Sequence, residues 1–316
     1  MDRFSNWGRL YLMCDLSVKI GSLNLKNPVL TASGTFGYGH EYDGYLDLSR
    51  LGAVITKTIT LEPREGNPMP RIAETPAGML NSIGLSNIGA RKYLEQKLPL
   101  LQGIDTSVIT NVAGNTVDEY RRVVEFVQNH PRIDGFEINV SCPNVERGGL
   151  AFGTHSKTTA AVVQAVRKAT AKPIIVKLTP NVTDIAEIAR AVEDSGGDAI
   201  SCINTVVGMA IDIISRRPKL AKIAGGLSGP AIKPIALAKV FQVANAVQLP
   251  IIGVGGIMSW QDAVEFLLAG ASAIQVGTLN FIEPDGAVRL VAGLEAYCRE
   301  NSITHLCELT GSMRLD

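Results

Sequence analysis

The sequence predicts a (β/α)8 TIM barrel, and three observations lead there. Eight short, nearly continuous apolar runs alternate with longer helical patterns along the chain. Each run ends in a polar residue or a glycine. No Gly-x-Gly-x-x-Gly follows the first run, where a doubly wound open sheet usually carries it; Ser33-Gly34-Thr35-Phe36-Gly37-Tyr38-Gly39 has a different spacing. Runs apolar on both faces are parallel strands covered on both sides. Strict alternation with helices makes a parallel sheet, and eight strands close a barrel.

The strands are expected at 27–34, 53–60, 107–114, 135–142, 173–180, 199–205, 250–256 and 273–278. Helices are expected at 116–129, 156–170, 183–194, 233–247 and 259–269. The first opens with the capping box Thr116-Val117-Asp118-Glu119 and continues with Val123, Val124 and Val127. Ser259 with Asp262 is an N-cap and first-turn acid, and Gly270 is the stop. Two loops exceed a minimal barrel, 61–89 and 206–229, and such loops at strand C-termini form lids. Within the second, 211–214 and 220–223 are expected to pair as a hairpin.

The chain has 316 residues, 46% of them hydrophobic, enough for a large core. No Pro/Ser/Gly tract divides it, so residues 1–316 read as one domain, with 1–15 a variable leader. Thirty basic and thirty acidic residues cancel without long runs of either sign, which argues against nucleic acid as a partner. No apolar run reaches the roughly 18 residues of a membrane span. The start lacks a basic region followed by an apolar core, so it is not a signal peptide, and Met13 is an alternative initiator. Cys14, Cys142, Cys202, Cys298 and Cys307 contain no Cys-x-x-Cys, which argues against a disulfide framework, a zinc site or an iron–sulfur cluster, and suits a reducing cytoplasm.

In a barrel the strand C-termini share one mouth. Those ends carry Ser33, Lys57 with Thr58, Asn111, Asn139 with Cys142, Lys177, Asn204 with Thr205, Gly255-Gly256 and Gly277-Thr278. Ile252-Gly253-Val254-Gly255-Gly256-Ile257 and Gln275-Val276-Gly277-Thr278 match the phosphate-binding arrangement at strands 7 and 8, against a reading as two plain turns. They fit a phosphate-bearing cofactor such as FMN, and equally a sugar-phosphate substrate.

Lys57 and Lys177 follow apolar triplets, where a lysine is costly unless paired or used. Schiff-base chemistry, a cation beside an electron-rich cofactor, and simple snorkelling compete; two lysines at one mouth favour the cation, which would stabilise a reduced flavin. Asn81, Asn139, Asn144 and Asn204 suit a planar substrate with amide edges, although each alone is also an ordinary turn residue. A thiol with pKa near roughly 8.5 is a modest base, so Cys142 needs its surroundings to tune it. Cys202 lies within a strand and reads as core. The four histidines lack metal-ligand spacing and read as surface or structural.

Several linked motifs resemble the class 1 dihydroorotate dehydrogenases, FMN-dependent enzymes of pyrimidine biosynthesis. They are Asn27-Pro28 through Ala32-Ser33-Gly34, Lys57-Thr58 with Arg64-Glu65-Gly66-Asn67-Pro68, Asn81-Ser82-Ile83-Gly84-Leu85, Asn139-Val140-Ser141-Cys142-Pro143-Asn144, Val176-Lys177-Leu178, Ile203-Asn204-Thr205, and Gly225-Gly226-Leu227-Ser228-Gly229-Pro230. The match runs from about Leu16 onward, and the order and spacing of the motifs make it specific.

The resemblance implies that Cys142 takes a proton from dihydroorotate while hydride passes from the adjacent carbon to FMN, giving orotate in de novo UMP biosynthesis. Lys57, Asn81, Ser82, Ile83, Gly84, Leu85, Asn139, Asn144, Asn204 and Thr205 would surround the substrate. Ser33, Lys57, Thr58, Asn111, Asn139, Lys177, Ile203, Gly229, Gly255, Gly256, Gly277 and Thr278 would contact FMN. The cysteine, where the membrane-bound class 2 enzymes use serine, resembles class 1. Gly-Gly-Leu-Ser-Gly-Pro and Cys-Pro-Asn-Val-Glu-Arg-Gly-Gly resemble its NAD-linked subgroup, class 1B.

Those catalytic subunits dimerise and pair with an electron-transfer subunit carrying FAD and an iron–sulfur cluster. A cytoplasmic heterotetramer reducing NAD is therefore implied. Gly34-Thr35-Phe36 departs from the family pattern, which often has cysteine in the middle, and the leader before Leu16 exceeds the usual start. Competing readings are a fumarate-linked relative, a dihydropyrimidine dehydrogenase subunit, a lysine-centred lyase or isomerase, and a flavin-binding scaffold whose partner holds the activity.

Overall fold

A computed structural model describes residues 14–141, 143–144 and 150–316. Eight parallel strands form a closed barrel in sequential order. They are β1 (Val29–Thr31), β2 (Ala53–Ile55), β3 (Ser107–Val112), β4 (Gly135–Asn139), β5 (Ile174–Leu178), β6 (Ala199–Cys202), β7 (Ile251–Val254) and β8 (Ala273–Val276). Each lies within an expected run, and the residues beyond its C-terminus form the mouth. Outward side chains pack under helices while the alternate set fills the barrel, so nearly every strand residue is buried.

The five expected helices form as α1 (Val117–Val127), α2 (Ser156–Ala169), α3 (Ile185–Asp194), α4 (Lys233–Ala244) and α5 (Trp260–Leu268). The Thr116 hydroxyl accepts from the Glu119 amide at 3.1 Å. Ser259 and Asp262 cap each other reciprocally. A sixth helix, α6 (Gly286–Glu300), was not expected. It buries Ala287, Leu290, Val291, Leu294 and Cys298 along one face. Gly286 and Gly293 obscure that pattern in the sequence. A Cβ on Gly293 would lie 2.5 Å from Trp260 Cβ, so glycine lets the last helix close onto α5.

The first two crossovers are irregular. Two short helical turns follow β1, and an irregular helical stretch over 89–101 follows β2. Tyr93 in that stretch is fully buried, and its hydroxyl lies 2.8 Å from Thr110 Oγ1.

Both long loops are ordered and pair with each other. Ile72–Thr75 and Gly78–Asn81 form a hairpin, and Val206–Met209 pairs with Ala224–Ser228. Ser228 pairs with Met79 and Gly226 with Asn81, joining the two into one four-stranded antiparallel sheet. The expected pairing of 211–214 with 220–223 does not form. Ile211–Asp212 pairs with Arg217–Pro218 instead, because Asp212 Oδ1 accepts from the Ile214 and Ser215 amides and turns the chain earlier. No described helix is long and apolar enough to cross a membrane.

Candidate active site

The barrel mouth and this sheet enclose a cavity of about 610 Å³. It is lined by Ser33, Lys57, Thr58, Asn81, Ser82, Ile83, Gly84, Leu85, Asn139, Lys177, Ile203, Asn204, Thr205, Gly229, Gly255, Gly256, Gly277 and Thr278. One expected contact, Asn111, is fully buried beneath the lining and is absent from it. Cys142 lies outside the described residues. Of Asn144 only the backbone is described, in a short pairing with Leu150.

The amides at the ends of β4 and β6 are linked. Asn204 Nδ2 donates to Ser141 Oγ at 2.9 Å and to Asn139 Oδ1 at 3.2 Å. Asn139 Oδ1 also accepts from the Ser141 amide at 3.2 Å, and the Asn139 carbonyl accepts from Tyr120 Oη at 2.7 Å. Across the cavity, Asn81 Nδ2 donates to the Gly226 carbonyl at 3.3 Å. Thr205 Oγ1 lies 2.0 Å from an ideal Cβ on Gly226, so that sheet residue has to be glycine for the wall to close.

Glycines converge on the opposite wall. An ideal Cβ on Gly256 would be 2.9 Å from the Gly229 carbonyl oxygen, and one on Gly229 would be 3.5 Å from Thr278 Cγ2. Gly229, Gly256 and Thr278 thus meet at one point, although they come from three segments. The Thr278 hydroxyl lies 3.0 Å from Ser228 Oγ.

The two lysines differ. Lys57 follows β2, and burial lowers its pKa from the ordinary 10.5, partly offset by Glu41. Its folded pKa is therefore below its unfolded one. Between the two, the unfolded chain binds more protons and stability rises with pH; below that window the buried charge costs stability. Lys57→Met is expected to raise the Tm of the ligand-free protein at pH 7, with the gain shrinking as pH approaches 10.5. Thermal melts across pH 7–10.5 check this. Lys177 is almost fully buried, donates to Gln275 Oε1 at 3.1 Å, and sits 3.7 Å from Glu137 Oε1.

A family model for dihydroorotate dehydrogenase matches residues 15–297. The chain is 54% identical over 301 residues to a protein of Geotalea daltonii, covering 95% of this chain and 99% of the relative. It is 55% identical over 301 residues to one of Geobacter metallireducens, with 95% and 99% covered. It is 52% identical over 303 residues to one of Bacteroides thetaiotaomicron, with 96% and 100% covered. All three relatives are named dihydroorotate dehydrogenase B (NAD(+)), catalytic subunit.

The chain belongs to the dihydroorotate dehydrogenase family.

As expected from its place within a strand, Cys202 is core: it is fully buried, which pushes its thiol pKa up. His40 Nε2 lies 3.0 Å from Lys97 Nζ, and His130 Nδ1 accepts from the Arg132 amide, both away from the cavity lining. Sequence reasoning missed a polar layer beneath this dehydrogenase cavity, made by Glu137, Ser201 and Gln275 with Asn111 and Lys177. The signal was present in Gly135-Phe136-Glu137-Ile138-Asn139, where a carboxylate interrupts a strand expected to be apolar. Ser141, Asn181, Ser228, Met258 and Phe281 also line the cavity and were not anticipated.

Two buried polar atoms at this site have no hydrogen-bond partner, Asn111 Oδ1 and Ser82 Oγ. Such atoms are costly in a finished core. Ser82 also lines the cavity, so its hydroxyl fits a polar ligand that completes it.

Proposed function

We propose that the chain is the FMN-bearing catalytic subunit of an NAD-linked dihydroorotate dehydrogenase and oxidises dihydroorotate to orotate in pyrimidine biosynthesis. The observation that carries the reading is one cavity with neutral amides on one side, converging glycines on the other, and a buried lysine between an amide and a carboxylate. The close glycine approaches at Gly229 and Gly256, which a Cβ would block, and the cavity-lining Lys177 fit FMN. Gly229, Gly255, Gly256, Gly277 and Thr278 would hold its phosphate through backbone amides, and Ser33, Thr58, Asn139, Ile203, Lys57, Asn111 and Lys177 would hold the ring and chain. Bound FMN supplies the hydride acceptor.

The chain's own residues do the rest. Asn81, Asn139, Asn144, Asn204 and Thr205, with the 82–85 loop and Lys57, bind the flat pyrimidine by its polar edges. The four-stranded sheet covers it and excludes water. Cys142, as thiolate, accepts the proton from the carbon next to the carbonyl. The neighbouring carbon gives up its hydrogen with two electrons, and the ring gains its double bond.

Gly256→Ala tests the phosphate wall. Gly256 has φ of +75°, and its new methyl would meet Lys233 Cβ at 2.8 Å. The variant is expected to bind FMN at least tenfold more weakly, by fluorescence titration, while remaining folded.

Passing electrons onward to NAD requires a partner carrying FAD and an iron–sulfur cluster, within a cytoplasmic assembly built on a dimer of this chain. An exposed apolar tip at Ile213 (86% exposed) and Ile214 (91% exposed), on the loop that covers the cavity, supports an assembly of this kind. Anaerobic mixing of the purified yellow protein with dihydroorotate tests the reading, and prompt loss of flavin colour is expected. A yellow protein that stays yellow rejects the substrate. A protein that takes up no FMN rejects the cofactor.

A further inference from the structure

A carboxylate that the proposed chemistry does not use lies beneath the cavity. Glu137, in β4, has no exposed surface. Its Oε1 accepts from Asn111 Nδ2 at 2.5 Å, and its Oε2 accepts from Ser201 Oγ at 2.9 Å and from Gln275 Nε2 at 2.5 Å. Gln275 in turn accepts from Lys177 Nζ through Oε1, and the ammonium is 3.7 Å from Glu137. Five strands, β3, β4, β5, β6 and β8, each contribute one member.

An ionised carboxylate only accepts hydrogen bonds. Glu137 therefore draws the Asn111 amide nitrogen to itself and turns Oδ1 away, and Oδ1 is the buried atom left without a partner. Glu137 and Gln275 also fix the ammonium of Lys177, whose side chain borders the cavity. A layer that merely filled the barrel would need no charges, because buried ion pairs are commonly replaced by apolar residues at no cost.

We propose that Glu137 is a positioning residue, holding the Lys177 ammonium toward the cofactor in the cavity. The proposal rests on the FMN reading. In its absence the ammonium is no longer held at one place, so the site loses part of its preference for the reduced, more negative cofactor.

The test compares midpoint potentials and FMN affinities of the holoenzyme and its Glu137→Gln, Gln275→Leu and Glu137→Asp variants by anaerobic titration. Glu137→Gln and Gln275→Leu are each expected to lower the preference for reduced over oxidised FMN about tenfold, a fall of about 30 mV for a two-electron couple. Glu137→Asp, which keeps the charge, is expected to recover most of the shift. An unchanged potential accompanied only by a lower Tm overturns the proposal, because a structural role weakens both forms alike. A rise in Glu137→Gln also overturns it, by making the carboxylate a plain charge that opposes the cation. Gln275→Leu leaves both charges in place and decides the matter if Glu137→Gln does not fold. A wild-type chain that takes up no FMN overturns the cofactor reading as well, and its lack of colour separates that failure from the others.

Discussion

Cys142→Ala is expected to slow reduction of the bound flavin by dihydroorotate about 10²–10⁴-fold at neutral pH, with FMN still in place. That range is what a positioned general base contributes. Cys142 itself lies outside the described residues. Asn139 and Ser141 precede it, both line the cavity, and both are held by Asn204. With the thiolate as the proposed base, the wild-type rate should climb as pH rises toward the thiol pKa, and the alanine variant should lose that climb. Stopped-flow reduction between pH 6 and 9 measures both. An alanine variant that bleaches at the wild-type rate would assign proton removal to another group.

Lys177→Met is expected to lower stability by about 3 kcal/mol and to weaken FMN binding by more than tenfold. The stability loss follows from what remains. Glu137 would keep its three neutral donors but lose its cation, and a buried charge stripped of its partner costs about 3–5 kcal/mol. Removing both charges in Lys177→Met/Glu137→Leu should recover most of the stability and none of the FMN affinity. Chemical denaturation of the ligand-free variants checks the first statement, and fluorescence titration checks the second. If the single variant is as stable as wild type, the ion pair does not carry the weight assigned to it.

Much of this was legible in the residues. Parallel strands covered on both faces leave long apolar runs, so all eight barrel strands could be read from composition and spacing. Most expected site residues sit just past a strand end, where apolar pattern gives way to polar, and that boundary brought Lys57, Asn139, Asn204 and Gly277 to one cavity. The illegible parts have physical causes. Helix α6 escaped because two glycines interrupt its pattern, one of them set by the approach of Trp260. The hairpin register was misread because Asp212 turns the chain through backbone contacts that apolar spacing does not encode. Asn111 was expected at the surface of the cavity and lies beneath it, since strand position gives direction but not depth. Glu137 was passed over because its partners are scattered across five strands and meet only in three dimensions.

The sheet over the mouth is assembled from two insertions more than a hundred residues apart, joined where Gly226 meets Asn81 and Ser228 meets Met79. A chimera receiving one of them from a distant relative would face its new partner with mismatched strand edges, and Gly225, Gly226 and Gly78 leave no room to adjust. The two segments therefore form one unit of exchange, and successful grafts between relatives should carry both or neither.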